Sequence, residues 1–444
     1  MAQPNIFKLL RQLSETRSTK HEVGQKRRKR EDTKKQKDKT IAAILHLLEK
    51  QPDAAKQKDS HDSTPLHQAI WNNAPLEIVD ALLKVWPDAV KEKDGTDSTP
   101  LHLVGHCKAP LEVVTALLEV CPDAVKEKDR LDLYTPLHLA CERGAPLEAV
   151  VALLKAWPDA VKEKDENGWT PLHTACCHKA KMELISILLS NWPDGLKEKD
   201  RCGRTPLYCA CYDESKFEKV SALISIFPDA AKETDREGYT PLHAVCQRRG
   251  SFDVVSALLN SWPDAAKQKD INGCTPLHTA CQWGGSLDVV SALLTAWPAA
   301  AKEIDDKGYI PLRTACICQA PFEVITLLLD IWLREKENRI GDMGDLERYA
   351  LSSRSDIREL FSRVSTLYDD EIDEYSPSET LTFFLRIKLW NGVAFLIDKD
   401  PSTVKTFVMD TTVMADFLFV VGKCCRLVTM WKVIINEQDL LGGV

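Results

Sequence analysis

The sequence has no apolar run long enough to read as a membrane span. Its most apolar segment, Val413 to Ile435, is broken by Asp416, Lys423, Arg426 and Lys432, and no apolar stretch follows Met1 that would read as a signal peptide. Zinc pairs of the CxxC kind are absent, and so are HExxH, a nucleophile elbow and a phosphate-cradling glycine loop. These absences leave no recognisable catalytic or metal site, and no cofactor is expected. Fifteen cysteines without a secretory signal point to a reducing compartment, so the chain is expected inside the cell, in the nucleus or the cytoplasm.

What the sequence does have is a period. TPLH begins at Thr64, Thr99, Thr135, Thr170, Thr240 and Thr275, with TPLY at Thr205 and IPLR at Ile310, at intervals of 35 residues and once 36. Such a period marks stacked supersecondary units rather than a closed globule. Thr before Pro is an N-cap followed by a first helical residue whose missing N–H costs nothing, so a short helix starts there. A second helix starts after Pro75, Pro110, Pro146 or Pro321, or after Lys or Ser in other units, and carries a stripe such as Val79, Leu82, Leu83, Trp86. That spacing predicts core packing for Trp86, Trp157, Trp192, Trp262, Trp297 and Trp332, with Cys121 and Phe227 at the equivalent places. The link runs through KEKDENGW, where Asp165 and Gly168 supply turn chemistry. The first three units put Asp62, Asp97 and Asp132 at the glycine position, and Asp tolerates the left-handed region.

The pattern D-x-x-G-x-T-P-L-H, an Ala and a small residue, then a Leu-Leu helix resembles the ankyrin repeat over eight units, about Asp59 to Trp332. The resemblance implies a mostly α-helical solenoid of paired antiparallel helices with β-hairpin or turn fingers. It also implies a structural, turn-tying role for His67, His102, His138, His173, His243 and His278. Cys141, Cys176, Cys211, Cys246, Cys281 and Cys316 stand where the family has a small buried alanine. The units are longer than the common form of about 33 residues. Trp-Pro replaces the usual glycine cap, and the helix stops because the residue before proline is pushed out of the α region. Tyr208 and Arg313, in place of histidine, predict locally weaker fifth and eighth units. Residues 1–39 are expected to be a basic disordered arm, 40–58 a capping half-repeat without its first helix, 59–332 the repeats, and 333–444 a helical region with decayed repeat-like units.

A repeated frame with changing residues at exposed slots predicts a monomeric, non-enzymatic scaffold or adaptor that binds a protein partner, with no membrane involved. The candidate anchors at the fingers are Tyr134, Trp169, Arg204, Tyr239 and Tyr309. On the first helices they are Glu142, Arg143, His178, Tyr212, Asp213, Gln247, Arg248, Gln282 and Trp283, since aromatic and arginine side chains dominate interface energetics. The first forty residues hold thirteen Lys/Arg against five Asp/Glu, a surplus of eight that leaves −16 for the rest of a chain whose net charge is −8. Lys26, Arg27, Arg28, Lys29, Arg30, Lys34 and Lys35 form a candidate nuclear-import signal. An alternative reading is a nucleic-acid-associated factor using this arm; a third is an enzyme with an unrecognised site in 333–444. Deleting residues 26–39 is expected to shift a tagged chain from nucleus to cytoplasm, as read by fluorescence imaging.

Overall fold

The computed structural model describes residues 5–15, 26–178, 180–212, 217–335, 337–339, 354–368, 375–400 and 403. The chain divides into two compact blocks, Met1–Arg236 and Glu237–Val444. Both are built from the same helical pair, and no strand occurs among the described residues.

The first block opens with α1 (Ile6–Glu15) and α2 (Lys26–Lys50). Ile6, Phe7, Leu10 and Leu13 of α1 are buried, as are Ile44, Leu47 and Leu48 of α2. The pair packs where a preceding repeat would lie, α1 against the first helix Pro65–Trp71 and α2 against the second helix Leu76–Val85. Two sequence expectations are corrected here. The half-repeat is completed by a helix drawn from the supposed arm, because α1 supplies the apolar face needed to cover the end of the stack. The basic stretch Lys26–Lys39 has the backbone of one continuous helix with Ile41–Lys50.

Five first helices follow in this block, Pro65–Trp71, Pro100–Cys107, Pro136–Arg143, Pro171–Cys177 and Pro206–Tyr212. Each is paired with a ten-residue second helix that buries one apolar stripe, such as Ile78, Val79, Leu82 and Leu83. Fully burying such side chains contributes about 1.5–3 kcal/mol each, and neighbouring repeats share the gain.

The second helix ends on the residue before proline. Trp157 has φ −146° and ψ 91°, donates its N–H to Leu153 O at 3.0 Å, and accepts from Ala160 N at 3.2 Å, which starts the 3-10 turn Pro158–Lys162. One residue closes the helix and opens the turn. The tryptophans themselves are only half-buried, which corrects their expected place in the core. Extended φ swings the side chain off the helical face, so the i+7 position no longer predicts where it points. The ring lies over its own turn: a Cβ built on Gly195 would sit 3.0 Å from the Trp192 ring.

The fingers are four-residue turns rather than β-hairpins. Asp165 N donates to Trp169 O at 2.9 Å, but the returning Trp169 N–H goes to the Asp165 carboxylate at 2.7 Å, so the side chain takes the bond a strand partner would have taken. Glycine holds the left-handed corner at Gly168 (φ +80°) and Gly203 (φ +84°), while Asp62 (φ +57°) and Asp97 (φ +59°) hold it in the first two fingers. In the third finger the one-residue insertion shifts that corner from the expected Asp132 to Leu133, at φ +56°.

Lys219, 6% exposed, occupies the second-helix position filled by Ile78, Val113, Ala149 and Leu184 in the other repeats of this block. The helix Pro171–Cys177 ends in extended His178 (φ −107°, ψ −179°) and not in a left-handed corner like Gly144. The Lys219 ammonium donates to the carbonyls of Ala175 (3.4 Å), Cys176 (3.1 Å) and His178 (2.7 Å), which satisfies the helix end across the repeat boundary.

The second block continues the pattern with first helices Pro241–Gln247, Pro276–Trp283 and Pro311–Ile317 and second helices Phe252–Ser261, Leu287–Ala296 and Phe322–Leu333. Ser355–Ser365, Pro377–Arg386 and Trp390–Lys399 are helices of the C-terminal region. Asn391 is held to Asp330 by its N–H at 2.6 Å and its side-chain amide at 2.8 Å, which docks Trp390–Lys399 on Phe322–Leu333. Asp400, before Pro401, has φ −133° and ψ 89° and donates to Leu396 O, the same ending as the Trp-Pro repeats.

A leucine in the left-handed region costs about 1–2 kcal/mol relative to the right-handed basin, partly offset in glycine by lost chain entropy. Leu133→Gly is therefore expected to stabilise the chain by about 0.5–1 kcal/mol, seen as a higher midpoint in denaturant unfolding.

Candidate protein-interaction surface

Each repeat is tied to the next by its TPLH histidine. In the fourth repeat, Thr170 Oγ1 lies 2.9 Å from His173 Nδ1, the Thr170 N–H donates to the same nitrogen at 3.2 Å, and His173 Nε2 reaches Arg204 O in the next finger at 3.1 Å. A carbonyl only accepts, so Nε2 carries the proton and Nδ1 is the acceptor: the ring must be neutral. His67, His102 and His138 make the same bridge to Ser98, Tyr134 and Trp169, and His243 and His278 to Cys274 and Tyr309. Burial, the largest cause, pushes the imidazoles of His102, His173 and His243 down to about 4 and that of His138 to about 3, against the carbonyl bond that acts the other way.

Tyr208 does not leave the fifth repeat without a bridge, as its sequence suggested; its hydroxyl donates to Asp235 Oδ2 at 3.0 Å, substituting a carboxylate for the carbonyl. In the eighth repeat the Arg313 guanidinium lies 4.0 Å over the Tyr309 ring of its own finger.

A second tie runs along the links. Lys58, Lys93, Lys128, Lys164 and Lys199 each pair with the Glu one repeat on, Glu92, Glu127, Glu163, Glu198 and Glu233, at 2.8–2.9 Å, and Lys269 pairs with Glu303 at 2.9 Å. The lysine two places earlier turns back on its own repeat instead, as Lys162 does to Asp159 at 2.9 Å. Such exposed pairs contribute about 0–1 kcal/mol each, so they fix register more than stability.

The finger residues proposed as anchors are tied up in these joints. Tyr134 is 9% exposed and stacks on His138 at 5.4 Å. Trp169 Nε1 and Arg204 Nε both donate to Asp200 Oδ2 at 2.9 Å, across one repeat boundary and within one finger respectively. Tyr239 is half-buried and meets His243 edge-on at 5.5 Å, and Tyr309 is half-buried under Arg313.

The ends of the first helices are different. Arg143 is exposed beside half-buried Glu142 at 3.4 Å, and half-buried His178 sits 6.3 Å from the Trp169 ring. Tyr212 and Gln247 are half-buried, Arg248 and Gln282 exposed, and Trp283 is 43% exposed; Asp213 lies outside the described residues. Sequence reasoning missed Trp71, 49% exposed and stacked 4.6 Å from the exposed His106, although both stand seven residues after the repeat threonine, in register with Glu142 and Tyr212. Counting that offset in every repeat finds them.

His102 and His106 are four apart, a spacing at which two histidines can share a metal, and the sequence reading passed over it. Both His102 ring nitrogens are already bonded within the array, and no metal-holding group of His, Cys, Asp or Glu occurs among the described residues. The six aligned cysteines are buried, and burial pushes the thiols of Cys176, Cys246 and Cys316 up to about 12, which keeps them protonated and unreactive at neutral pH. Cys424 and Cys425 lie outside the described residues, as does most of the region that a C-terminal enzyme site would need.

A family model described as ankyrin repeats (3 copies) matches residues 101–195, 181–268 and 245–338, together more than half of the chain. The chain belongs to the ankyrin-repeat family. Ankyrin repeats are in general protein–protein interaction modules, and they are typically non-enzymatic. Among solved structures, the ankyrin repeat domain of Bcl-3, described as a unique member of the IkappaB protein family, is 27% identical. The match covers 53% of this chain and 99% of that one, with a TM-score of 0.43. None of the curated proteins matches. No helix among the described residues is long and apolar enough to cross a membrane.

The buried histidines of the ankyrin array give a pH dependence of defined sign. Their folded pKa lies below the free value of 6.5, so the stabilisation is complete above pH 6.5 and is lost as pH falls from there toward about 4. Each contributes a loss of up to ~1.4 kcal/mol per pH unit over that window. Thermal melts are expected to show Tm nearly flat above pH ~6.5 and dropping steeply below it.

Proposed function

We infer that the chain is a non-enzymatic interaction scaffold whose protein partner lies on the exposed ends of the first helices, with the finger tips as a flank. One observation carries this reading. The finger aromatics and link lysines are engaged in holding repeats together, whereas the first-helix ends vary from repeat to repeat and keep Trp71, His106, Arg143, Arg248 and Trp283 exposed. Exposed tryptophan and arginine are the side chains that contribute most when an interface closes over them.

A nuclear role rests on the basic helix Lys26–Lys39, whose cluster fits an import signal. The nucleic-acid alternative draws on the same segment and requires binding that weakens steeply with salt. A catalytic role for 333–444 has no residue pattern to support it.

The test is proximity labelling in cells with the wild-type chain against Trp71→Ala/His106→Ala/Arg143→Ala. The exposed triple variant is expected to keep its Tm within a few degrees and lose partners; an unchanged partner list overturns the surface. Trp169→Ala, in contrast, is expected to lower Tm, because it leaves Asp200 with one donor fewer.

A further inference from the structure

In the second block the layer of second helices carries a groove. It lies between Phe252–Ser261 and Leu287–Ala296 and encloses about 670 Å³. Its walls are ten-residue helices, so it runs about 15 Å along them. Small side chains line it, among them Ser256, Ser291, Ala292, Thr295 and Ala296. The Thr295 hydroxyl donates back to Ser291 O at 2.7 Å, which satisfies it within its own helix and leaves the methyl for contact. Phe252 and Asp288 stand where the two helices begin, at one end of the groove.

The charge on this layer has one sign. Phe252–Ser261, Leu287–Ala296 and Phe322–Leu333 contain no lysine or arginine. Each begins with a large apolar residue followed by a carboxylate: Phe252-Asp253, Leu287-Asp288 and Phe322-Glu323. Phe252 is 47% exposed and Leu287 41%. The three carboxylates are exposed, and no ion pair engages them among the described residues. The helix position that holds exposed Lys84 and Lys155 in the first block is Asn260 and Thr295 here. Helix N-termini favour carboxylates through the backbone dipole, which accounts for the acidic residues. It accounts neither for the apolar side chains exposed next to them nor for the missing cations along the groove.

We propose that this groove is the docking site for a basic amphipathic helix of a partner protein, whose apolar stripe lies along Phe252, Ala292 and Thr295 and whose arginine or lysine meets Asp288 and its neighbour Asp253. The surface is separate from the first-helix ends proposed above and does not depend on them. A helix suits it because the walls are themselves helices with their backbone groups paired internally, so an extended segment finds no edge to pair with. Charge complementarity sets the sign of the partner: carboxylates without a cation beside them attract a cationic helix and repel the phosphates of nucleic acid or lipid. A second copy of this chain is the weaker candidate, because its own basic stretch, Lys26–Lys39, has no apolar residue to fill the groove.

The test is fluorescence anisotropy of the full chain with a fluorescein-labelled helical peptide that has leucine at i, i+3, i+4 and i+7, arginine at both ends, and alanine and glutamine elsewhere. One control peptide has glutamate in place of arginine, and another has serine in place of leucine. The arginine peptide is expected to bind, more weakly as ionic strength rises, and both controls at least about tenfold more weakly. Thr295→Trp, which fills the groove from an exposed position, is expected to weaken the arginine peptide about tenfold or more, and Asp253→Asn/Asp288→Asn about fivefold. Melts of each variant establish that the array still folds. No binding of the arginine peptide, equal binding of either control, or undiminished binding by either folded variant overturns the proposal. Sedimentation of the chain alone supplies a further outcome: self-association that Thr295→Trp abolishes overturns it in favour of a second copy. If the arginine peptide fails while the Trp71/His106/Arg143 variant still loses its partners in cells, the scaffold reading stands and the basic-helix inference alone falls.

Discussion

The joint on which the array depends is a neutral imidazole held between two repeats. Its Nδ1 accepts from the threonine that caps its own helix, and its Nε2 donates to a carbonyl of the next finger. The site asks for an acceptor toward its own threonine and a donor toward the next finger, which a neutral imidazole supplies and neither an amine nor a carboxylate can. Where the chain departs from histidine it must find another route. Tyr208 donates its hydroxyl across the boundary to a carboxylate, that of Asp235.

Much of this was legible because the period repeats a local rule. Thr-Pro announces each first helix, the apolar stripe each second helix, and the residue before proline the place where it stops; all three are backbone and burial effects that act within one unit. What stayed hidden depends on where neighbouring units meet. Lys164 and Glu198 stand 34 positions apart in the chain and read as solvated charges until stacking brings them to 2.8 Å. Trp169 reads as an exposed anchor until Asp200 accepts its indole N–H. Trp157 failed for a different reason: the i+7 rule presumes helical φ, and the following proline had already removed it.

The ends of the stack needed information that no repeat contains. α1 covers the first repeat with Ile6, Phe7, Leu10 and Leu13, a face that a charge count of the first forty residues conceals. Lys219 is a similar case inside the array. Its place in the frame calls for an apolar side chain, yet three carbonyls from a helix with an unusual ending account for its ammonium. In both places an exception to the frame compensates another exception close by.

The histidine joints also give the stack a direction. Every imidazole belongs to one repeat, and its acceptor belongs to the repeat that follows. A repeat that loses its predecessor keeps its own cap and ring intact and gives up only the donor to one finger carbonyl, which water replaces. One that loses its successor has its imidazole uncovered, and with the cover goes the burial that keeps the ring from taking a second proton. Shortening such a chain from its two ends is therefore not the same operation: only removal from the C-terminal side, where the new last repeat carries the histidine, turns a structural ring into a titratable one.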